Sequence, residues 1–548
     1  MAPTNPKPEA IEAQAEALDR SGRRQEAIRL CARTIQLGGT QPSLKALFIN
    51  LAGSASVEGF WDWIEAAILG CLHSAAVVDC QRMHKLWLTH INSHSEFQLT
   101  YGLHNLVHFD PDNKAFFEGL VHFKPLMTER FLEGIKHIVP PVPIFEEFLT
   151  HVRRHLLVHP QYFEDRIRLA IAIAQYAFNT GYILDTTEEE SRLVCQLGTE
   201  DEDLAVFACY HPLHECGMTT DALMQRTTIS ELVRTQIEEP LKLRMTTVPA
   251  VTEIDEQSAP VQALYESYPY PTWTTLSREE EVHRWRLSRR NQEVEGHLAD
   301  RSVQILIAGC GTGMEAISYA TIFPKADVLA IDLSRTSLAF GLQKALEFGI
   351  KNIRFRQGDI LRLGGLPERF DYIISSGVLH HMPDPVEGWK ALVGLLRPGG
   401  LMKIGLYSRL AHRHLVNAQS VAKEHGFTDP LHFRRASAGL LDRATLHDLC
   451  TKGDYYHLNM YRDLLFHTQE SRFSVPELAE ILERLALEFI GFHLHASVAE
   501  AYQRIYPSDT WQTNLTNWDA FETEHPDTFR SMYLLWCRPK PLPPNNPL

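Results

Sequence analysis

The sequence has no long run of positive charge, no apolar segment of membrane length and few cysteines. It contains 53 Lys and Arg against 68 Asp and Glu, a net charge of −15 over 548 residues, and its basic residues never form runs longer than two. Such a surface repels nucleic-acid phosphates and anionic lipid, so we expect neither nucleic acid nor a membrane as a partner. Apolar stretches such as Leu169–Ala174 are far shorter than a bilayer span.

The nine cysteines are odd in number and scattered, which favours a reducing, cytoplasmic location. Met1–Ala10 is polar and rich in proline, and it does not have the pattern of a signal peptide. Residues 209–216 (CYHPLHEC) contain four soft metal ligands, but their spacing is not that of a standard structural zinc site. We therefore predict no metal site.

Residues 1–245 are predicted to be mainly helical. Ala15–Leu37 has apolar residues three or four positions apart on both sides of Ser21-Gly22. This segment resembles one tetratricopeptide repeat, and no second copy follows at 34 residues. Two interpretations stay open for this domain: a packing or homodimerisation domain, and a module that binds a protein partner. Residues 246–262 are polar with two prolines and are predicted to be a linker.

The most informative stretch is Val303–Ala320. An apolar run of strand length, Val303–Ala308, leads into a glycine loop and then into a helical pattern without a break. This order holds nucleotide-type cofactors, because glycines let the backbone approach the ligand and the first helical N–H groups face it. The sequence from Gly311 onward, GTGMEA, also fits the GxGxxG/A fingerprint of dinucleotide-binding proteins. An NAD(P)-dependent dehydrogenase is therefore an alternative at this point.

Four further motifs follow in order. Lys325–Asp332 has the pattern of a second strand ending in an acid, which can accept the two ribose hydroxyls that NAD and S-adenosylmethionine (SAM) share. Asn352–Ile360 predicts a third strand ending in Gly-Asp-Ile. Phe370–Pro385 predicts a fourth strand followed by SGVLHHMPDP, and Leu395–Tyr407 predicts a turn and a fifth strand.

The series GCGTG, IDLS, GDI, SSGVLHHMPDP and LLRPGG resembles the class I SAM-dependent methyltransferases, here of the bacterial type with a helical, repeat-like N-terminal domain. The resemblance implies SAM as cofactor and an α/β fold: a Rossmann-like seven-stranded methyltransferase sheet preceded by a mainly α-helical N-terminal domain. It implies that the glycine loop holds the methionine part of SAM, that the acid after the second strand binds the ribose, and that the Asp-Ile pair contacts the adenine. The cofactor-binding residues so implied are Ala308, Gly309, Cys310, Gly311, Thr312, Gly313, Asp332, Leu333, Asp359, Ile360, Ser376 and Gly377.

One position departs from the family. An acid often stands two residues before the first glycine, where this chain has Ile307. The cofactor's ammonium group must then be held by the backbone carbonyls of Ala308 and Gly377, or by an acid from elsewhere in the chain.

The last part of the chain completes the predicted sheet. Ser474-Val-Pro-Glu477 is a capping box, so a helix is expected from Ser474 to about Leu487. Phe489–His495 and Arg530–Cys537 are predicted as the sixth and seventh strands, the seventh antiparallel. The SAM-binding domain is therefore predicted at 263–407 plus 474–548, with residues 408–473 as an insertion that covers the substrate.

His380 and His381 are the candidate general bases, because histidine titrates near operating pH; a structural role at the pocket wall is the alternative. Four residues are candidates for contact with the substrate: Tyr265 and Tyr270 before the first strand, and Tyr461 and His467 in the insertion. The acceptor of the methyl group stays open between a protein side chain recruited by the helical domain and a small metabolite. A non-catalytic SAM-binding scaffold is the alternative from a different class.

Overall fold

The computed structural model describes residues 8–53, 62–75, 78–94, 124–163, 165–271, 273, 276 and 302–540. These residues form two compact units. The first contains the described residues up to 242, Trp273, Leu276 and residues 450–461, and the second contains 243–271, 302–449 and 462–540. Within these ranges, no helix combines the length and the apolar character that crossing a bilayer requires.

The first unit is helical, as the apolar periodicity predicts. The helix Arg24–Gln36 buries Ala27, Ile28, Cys31, Ala32 and Ile35 on one face. The turn before it contains Gly22 with a φ of 80°, which suits glycine. The likeness to a tetratricopeptide repeat stays a prediction. The helices of this unit span Pro8–Arg20, Arg24–Gln36, Pro42–Ala52, Asp62–Leu72, His84–Ser93, Glu129–His137, Pro143–Val158, Arg166–Asn179, Glu188–Val194, Asp201–Phe207, Thr220–Met224, Ser230–Val233 and, at its boundary, Glu239–Met245.

The cysteine- and histidine-containing segment 209–216 lies in this unit. Cys209 is buried, and its thiol donates to the carbonyl oxygens of Ala170 and Ala205 at 3.3 and 3.4 Å. Burial raises the pKa of this thiol to about 12. Cys209 therefore behaves as a core residue in the described structure.

A short piece of the predicted insertion, residues 450–461, also belongs to the first unit. The backbone N–H of Leu458 donates to the carbonyl oxygen of Thr180 at 2.8 Å. His457 Nδ1 lies 3.2 Å from the carbonyl oxygen of Asn179, and the side chain of Tyr461 is buried. The structure thus divides the segment 408–473, which the sequence presents as one insertion.

Deletion of residues 1–245 is therefore expected to lower the solubility of the remaining chain. It removes the backbone partners of residues 457 and 458, which lie at Asn179 and Thr180, and so leaves this segment without the unit it belongs to. Light scattering of the purified truncation measures this, and a truncation in which a glycine-serine linker also replaces residues 450–461 is the control. The expectation would be wrong if the variant that lacks only residues 1–245 were monomeric and as soluble as the control.

The second unit contains one seven-stranded sheet. Its strands are β1 (Gln304–Ala308), β2 (Asp327–Asp332), β3 (Ile353–Gln357), β4 (Phe370–Ser376), β5 (Leu396–Leu406), β6 (Leu487–Phe492) and β7 (Tyr533–Pro539). The order across the sheet is β3-β2-β1-β4-β5-β7-β6. β7 runs antiparallel to β5 and β6, and the other pairs are parallel. The predicted Rossmann-like seven-stranded sheet is confirmed.

Helices flank this sheet, and the apolar residues of strands and helices share one core. Ser474 donates its backbone N–H to Glu477 at 2.7 Å, so the capping box forms, but the helix ends at Arg484 because Leu487 begins β6. The helices wholly or mostly in this unit are Ala259–Ser267, Met314–Ile322, Arg335–Glu347, Pro385–Val393, Arg413–Glu424, Pro430–Leu440, Arg443–Cys450, Leu458–Phe466, Val475–Arg484, Ala496–Ile505 and Leu515–Glu524.

The segment predicted as a linker, 246–262, is packed in the second unit. Val251 donates its N–H to the carbonyl oxygen of Gln357 at 2.8 Å, and Gln357 donates to that of Pro249 at 2.9 Å. Ala250 thereby forms a parallel bridge to the edge strand β3. The polar composition reflects an edge position on the sheet, where one side of the segment faces water.

Candidate functional site

A cavity of about 260 Å³ opens where β1, β2 and β4 end. The strand order reverses between β1 and β4, and ligands of open α/β sheets bind at such a reversal. Most of the residues predicted for the site share this cavity. Those that line it are Gly309, Cys310, Gly311, Asp332, Leu333, Asp359, Ile360, Ser376, Gly377, His381, Tyr265 and Tyr270.

The other predicted site residues do not line the cavity. Ala308 is buried within β1, and Gly313 is the N-cap residue of the following helix, Met314–Ile322. The Thr312 hydroxyl donates to the carbonyl oxygen of Pro271 at 2.8 Å. His380, Tyr461 and His467 also lie outside the set of lining residues.

The glycine loop is shaped by close backbone contacts. The N–H groups of Gly309 and Cys310 both donate to the carbonyl oxygen of Ile331, at 2.8 and 2.9 Å. Gly311 has a φ of 52°, and a Cβ there would collide with the carbonyl oxygen of Tyr270. The backbone of Tyr270 and Pro271, before β1, therefore packs directly against the glycine loop. Only glycine at position 311 leaves room for this contact.

Asp332 ends β2 at the cavity wall. One carboxylate oxygen accepts the N–H of Gly311 at 2.7 Å, and the other accepts the N–H of Ser334 at 2.9 Å. Burial raises the pKa of Asp332, and these two hydrogen bonds oppose that rise. Each oxygen has a further lone pair, so the carboxylate can still accept ligand hydroxyls.

Asp359 follows β3, and its carboxylate is already engaged. One oxygen accepts the N–H of Leu361 and the other that of Asp255, each at 3.0 Å. The backbone N–H of Asp359 donates to the Thr252 hydroxyl at 2.8 Å. The carboxylate therefore shapes the cavity floor by holding two backbone segments together.

Glu315 stands in the first turn of the helix after the glycine loop and lines the cavity. Its Oε1 accepts the hydroxyl of Ser376 at 3.3 Å and the ammonium of Lys403 at 3.2 Å. Burial lowers the pKa of Lys403, but Tyr319 and Glu315 outweigh burial and hold it above its usual value. Lys403 is therefore charged and fixes the orientation of the glutamate.

A cluster of titratable and aromatic groups borders the cavity at Tyr265, His381 and Asp463. The Tyr265 hydroxyl donates to Asp463 Oδ1 at 2.8 Å. His381 Nδ1 lies 3.0 Å from the carbonyl oxygen of Gln469, and its ring stacks on that of His467 with centroids 3.7 Å apart. These groups can accept, donate or hold a proton at the cavity wall.

Burial decides the charge of the histidines. It holds the pKa of His381 well below the usual value, aided by neighbouring His467. Burial also lowers the pKa of His467 to about 4. His380, fully buried and stacked on Tyr407 with centroids 3.8 Å apart, likewise has a pKa well below the usual value because of burial. All three imidazoles are neutral at neutral pH.

Sequence reasoning missed part of the cavity wall. Adjacency to the motifs was a usable signal for Met314, Glu315, Gly358, Val378, Met382 and Pro383. Asp463 stands between Tyr461 and His467, the two candidates in the insertion, so its position there was a usable signal as well. No local signal marks Ser258, Val261 or Met532, which reach the cavity only through the fold. The missed lining residues are Ser258, Val261, Pro271, Met314, Glu315, Gly358, Val378, Met382, Pro383, Tyr407, Asp463 and Met532.

Residues 299–459 match a family model described as a methyltransferase domain. An uncharacterized protein of Synechococcus sp. is 32% identical over 171 residues, which are 30% of this chain and 40% of that protein. The trans-aconitate 2-methyltransferase of Deinococcus radiodurans is 36% identical over 115 residues, 20% of this chain and 42% of the enzyme. The prediction of a methyltransferase domain is confirmed.

A solved structure of PKMT2 from Rickettsia typhi in complex with AdoHcy is 19% identical, with a TM-score of 0.35; the match covers 44% of this chain and 49% of that one. The chain spans about two fifths of the length of the first curated relatives it matches, between 40% and 42%.

Proposed function

We propose that the chain is a SAM-dependent methyltransferase whose cofactor binds in the cavity at the carboxyl ends of β1, β2 and β4. One observation carries the proposal: the glycine loop, Asp332 at the end of β2 and His381 after β4 line one cavity, and all three lie within residues 299–459, which match a methyltransferase domain. When bound, SAM would supply a sulfonium methyl group to a nucleophile, and S-adenosylhomocysteine would be the leaving group. The chain's own contribution is to align the acceptor and exclude water.

The experiment is to supply SAM with a tritiated methyl group to the full chain in a lysate and to separate macromolecules from small molecules. Label in the macromolecular fraction supports a protein acceptor, and label in the small-molecule fraction supports a metabolite. Release of S-adenosylhomocysteine distinguishes an enzyme from a non-catalytic SAM-binding scaffold. Tight SAM binding with no label transferred and no product released would contradict the enzyme and leave the scaffold.

We further propose that Glu315 supplies the acid for the cofactor ammonium that Ile307 does not. Both hydrogen bonds described for Glu315 fall on Oε1, from Ser376 and Lys403, so Oε2 is available at the cavity wall. A charge-assisted hydrogen bond between ammonium and carboxylate is about twice as strong as a neutral one.

Glu315→Gln is expected to weaken SAM binding by roughly tenfold or more, because the variant keeps the shape and removes the charge. Binding of 5′-methylthioadenosine, which has no ammonium group, is expected to stay unchanged. Calorimetry measures both, and Glu347→Gln at an exposed ion pair is the matched control. Equal losses for the two ligands would assign Glu315 a structural role instead.

The charge of the cavity bears on the acceptor. Four carboxylates line it, those of Glu315, Asp332, Asp359 and Asp463, and none of its described lining residues is Lys or Arg. The first three are assigned to the cofactor site, so Asp463 is the carboxylate left for the acceptor, and its charge disfavours an acceptor with several negative charges. We therefore infer a neutral or cationic acceptor, either a protein side chain that the helical first unit recruits or a small metabolite without multiple carboxylates.

A further inference from the structure

Three side chains with metal-ligating atoms converge at the cavity wall. His381, Asp463 and His467 each place one such atom within 4.8 Å of the other two. Asp463 and His467 are four residues apart at the end of the helix Leu458–Phe466, a spacing that puts both on one side of a helical turn. His381 comes from the loop after β4. Asp463 and His381 both line the cavity, so the cluster borders it.

Two of the three groups are already held as metal ligands usually are. His381 Nδ1 donates to the backbone carbonyl of Gln469 at 3.0 Å, which directs the lone pair of Nε2 away from that bond. Asp463 Oδ1 accepts the Tyr265 hydroxyl at 2.8 Å. Hydrogen bonds of this kind, to the far nitrogen of an imidazole and to a carboxylate, orient ligands in metal sites.

The third group has an unmet hydrogen-bonding atom. His467 Nε2 is buried without a partner among the described residues, whereas Nδ1 accepts the N–H of Gln469 at 3.1 Å. A buried nitrogen without a partner is costly, and a bound ion would satisfy it. Ligation through Nε2 moves the ring proton to Nδ1 and displaces the contact with Gln469.

We propose that His381, Asp463 and His467 bind a divalent transition-metal ion of the class of Zn²⁺, Mn²⁺ or Fe²⁺. Two imidazoles with one carboxylate suit these ions, whereas Mg²⁺ and Ca²⁺ prefer sites made of oxygen alone. The Asp463 carboxylate within the cluster favours a dication electrostatically, and Arg472, whose charge acts on His381, is paired with Glu470 at 2.7 Å. Three protein ligands leave coordination positions for water or for another oxygen ligand.

The described residues contain a second group with suitable atoms, Glu65, His90 and His94 in the first unit. There the Glu65 carboxylate is held by Arg130, whose Nη1 lies 2.7 and 2.8 Å from its two oxygens. A guanidinium that engages both oxygens competes with an ion for the same charge. This group therefore provides the matched control.

The test is a Co²⁺ titration of the chelator-treated full chain, followed by the visible absorption bands of bound Co²⁺ and by metal analysis. One Co²⁺ per chain is expected, with binding at least about tenfold weaker in His467→Ala and unchanged in His94→Ala. SAM affinity and circular dichroism verify the fold of His467→Ala, since His467 does not line the cavity.

Absence of the bands in the unaltered chain overturns the proposal, and so does binding that survives His467→Ala or is lost in His94→Ala. Should His467→Ala fail to fold, Asp463→Asn removes a charged ligand and keeps an oxygen for the Tyr265 hydroxyl. The same loss of Co²⁺ is then expected. None of these readouts depends on methyl transfer, so failure of the metal site and failure of the proposed methyltransferase activity are distinguishable.

Discussion

Replacement of His381 by alanine is expected to lower the turnover number by about 10²–10⁴, the range for loss of a general base, with SAM affinity nearly unchanged. His381 lines the cavity, and its Nδ1 is held by Gln469, so Nε2 is the atom that can accept a proton in the chain without a bound metal ion. Release of S-adenosylhomocysteine under saturating SAM measures turnover, and calorimetry measures the affinity. A lower turnover number with unchanged SAM affinity assigns the defect to the methyl-transfer step and not to cofactor binding.

The pKa of His381 also predicts the pH dependence. Because burial holds it well below the usual value of 6.5, the imidazole stays neutral throughout the neutral range. As the pH decreases from about 8 to 6.5, protonation of His381 is therefore expected to cause no decrease in the turnover number of the unaltered chain. A sigmoidal loss of activity centred near 6.5, absent in His381→Ala, would contradict the assignment.

His380→Ala is the comparison variant. His380 is fully buried, stacks on Tyr407 and does not line the cavity, so the sequence-based proposal of a base role is less favoured for it than for His381. A decrease below about tenfold in both variants would mean that catalysis rests on alignment. Chelator treatment distinguishes the roles of His381: loss of turnover on metal removal indicates a ligand, and unchanged turnover indicates a base.

Replacement of Asp332 by alanine is expected to reduce SAM affinity by about 1.5–3 kcal/mol, roughly ten- to a hundredfold, through loss of charge-assisted hydrogen bonds. The structure adds a second cause. Asp332 also accepts the N–H groups of Gly311 and Ser334, so its removal loosens the glycine loop.

Asp327→Ala is the matched control, because Asp327 lies at the other end of β2, where it pairs with Arg354. We expect its SAM affinity to be unchanged. Unchanged affinity in a folded Asp332→Ala variant would remove the ribose assignment. Titration with NAD tests the dehydrogenase alternative, since tight NAD binding without SAM binding would overturn the proposed class.

The sequence predicted the strands and the glycine loop well, because those signals are local. The apolar run before Gly309 and the acid at Asp332 each reflect a strand that ends at the same edge of a parallel sheet. The capping box joins Ser474 and Glu477, which are three residues apart, so the start of the helix Val475–Arg484 can be predicted from the sequence alone. The polar segment 246–262 was predicted as a linker because its pairing partner, Gln357, lies far away in the sequence.

By itself the sequence determined the class of fold and the positions of the cofactor motifs, because strand patterns, glycine loops and caps depend on neighbours a few residues apart. Only the tertiary structure decided which distant side chains share the cavity. Asp463 meets His381 because an insertion returns its helix to the edge where β4 ends, and Lys403 of β5 orients Glu315 across the sheet. These contacts join residues that are far apart in the sequence, and no local sequence pattern indicates which distant residues the folded chain brings together.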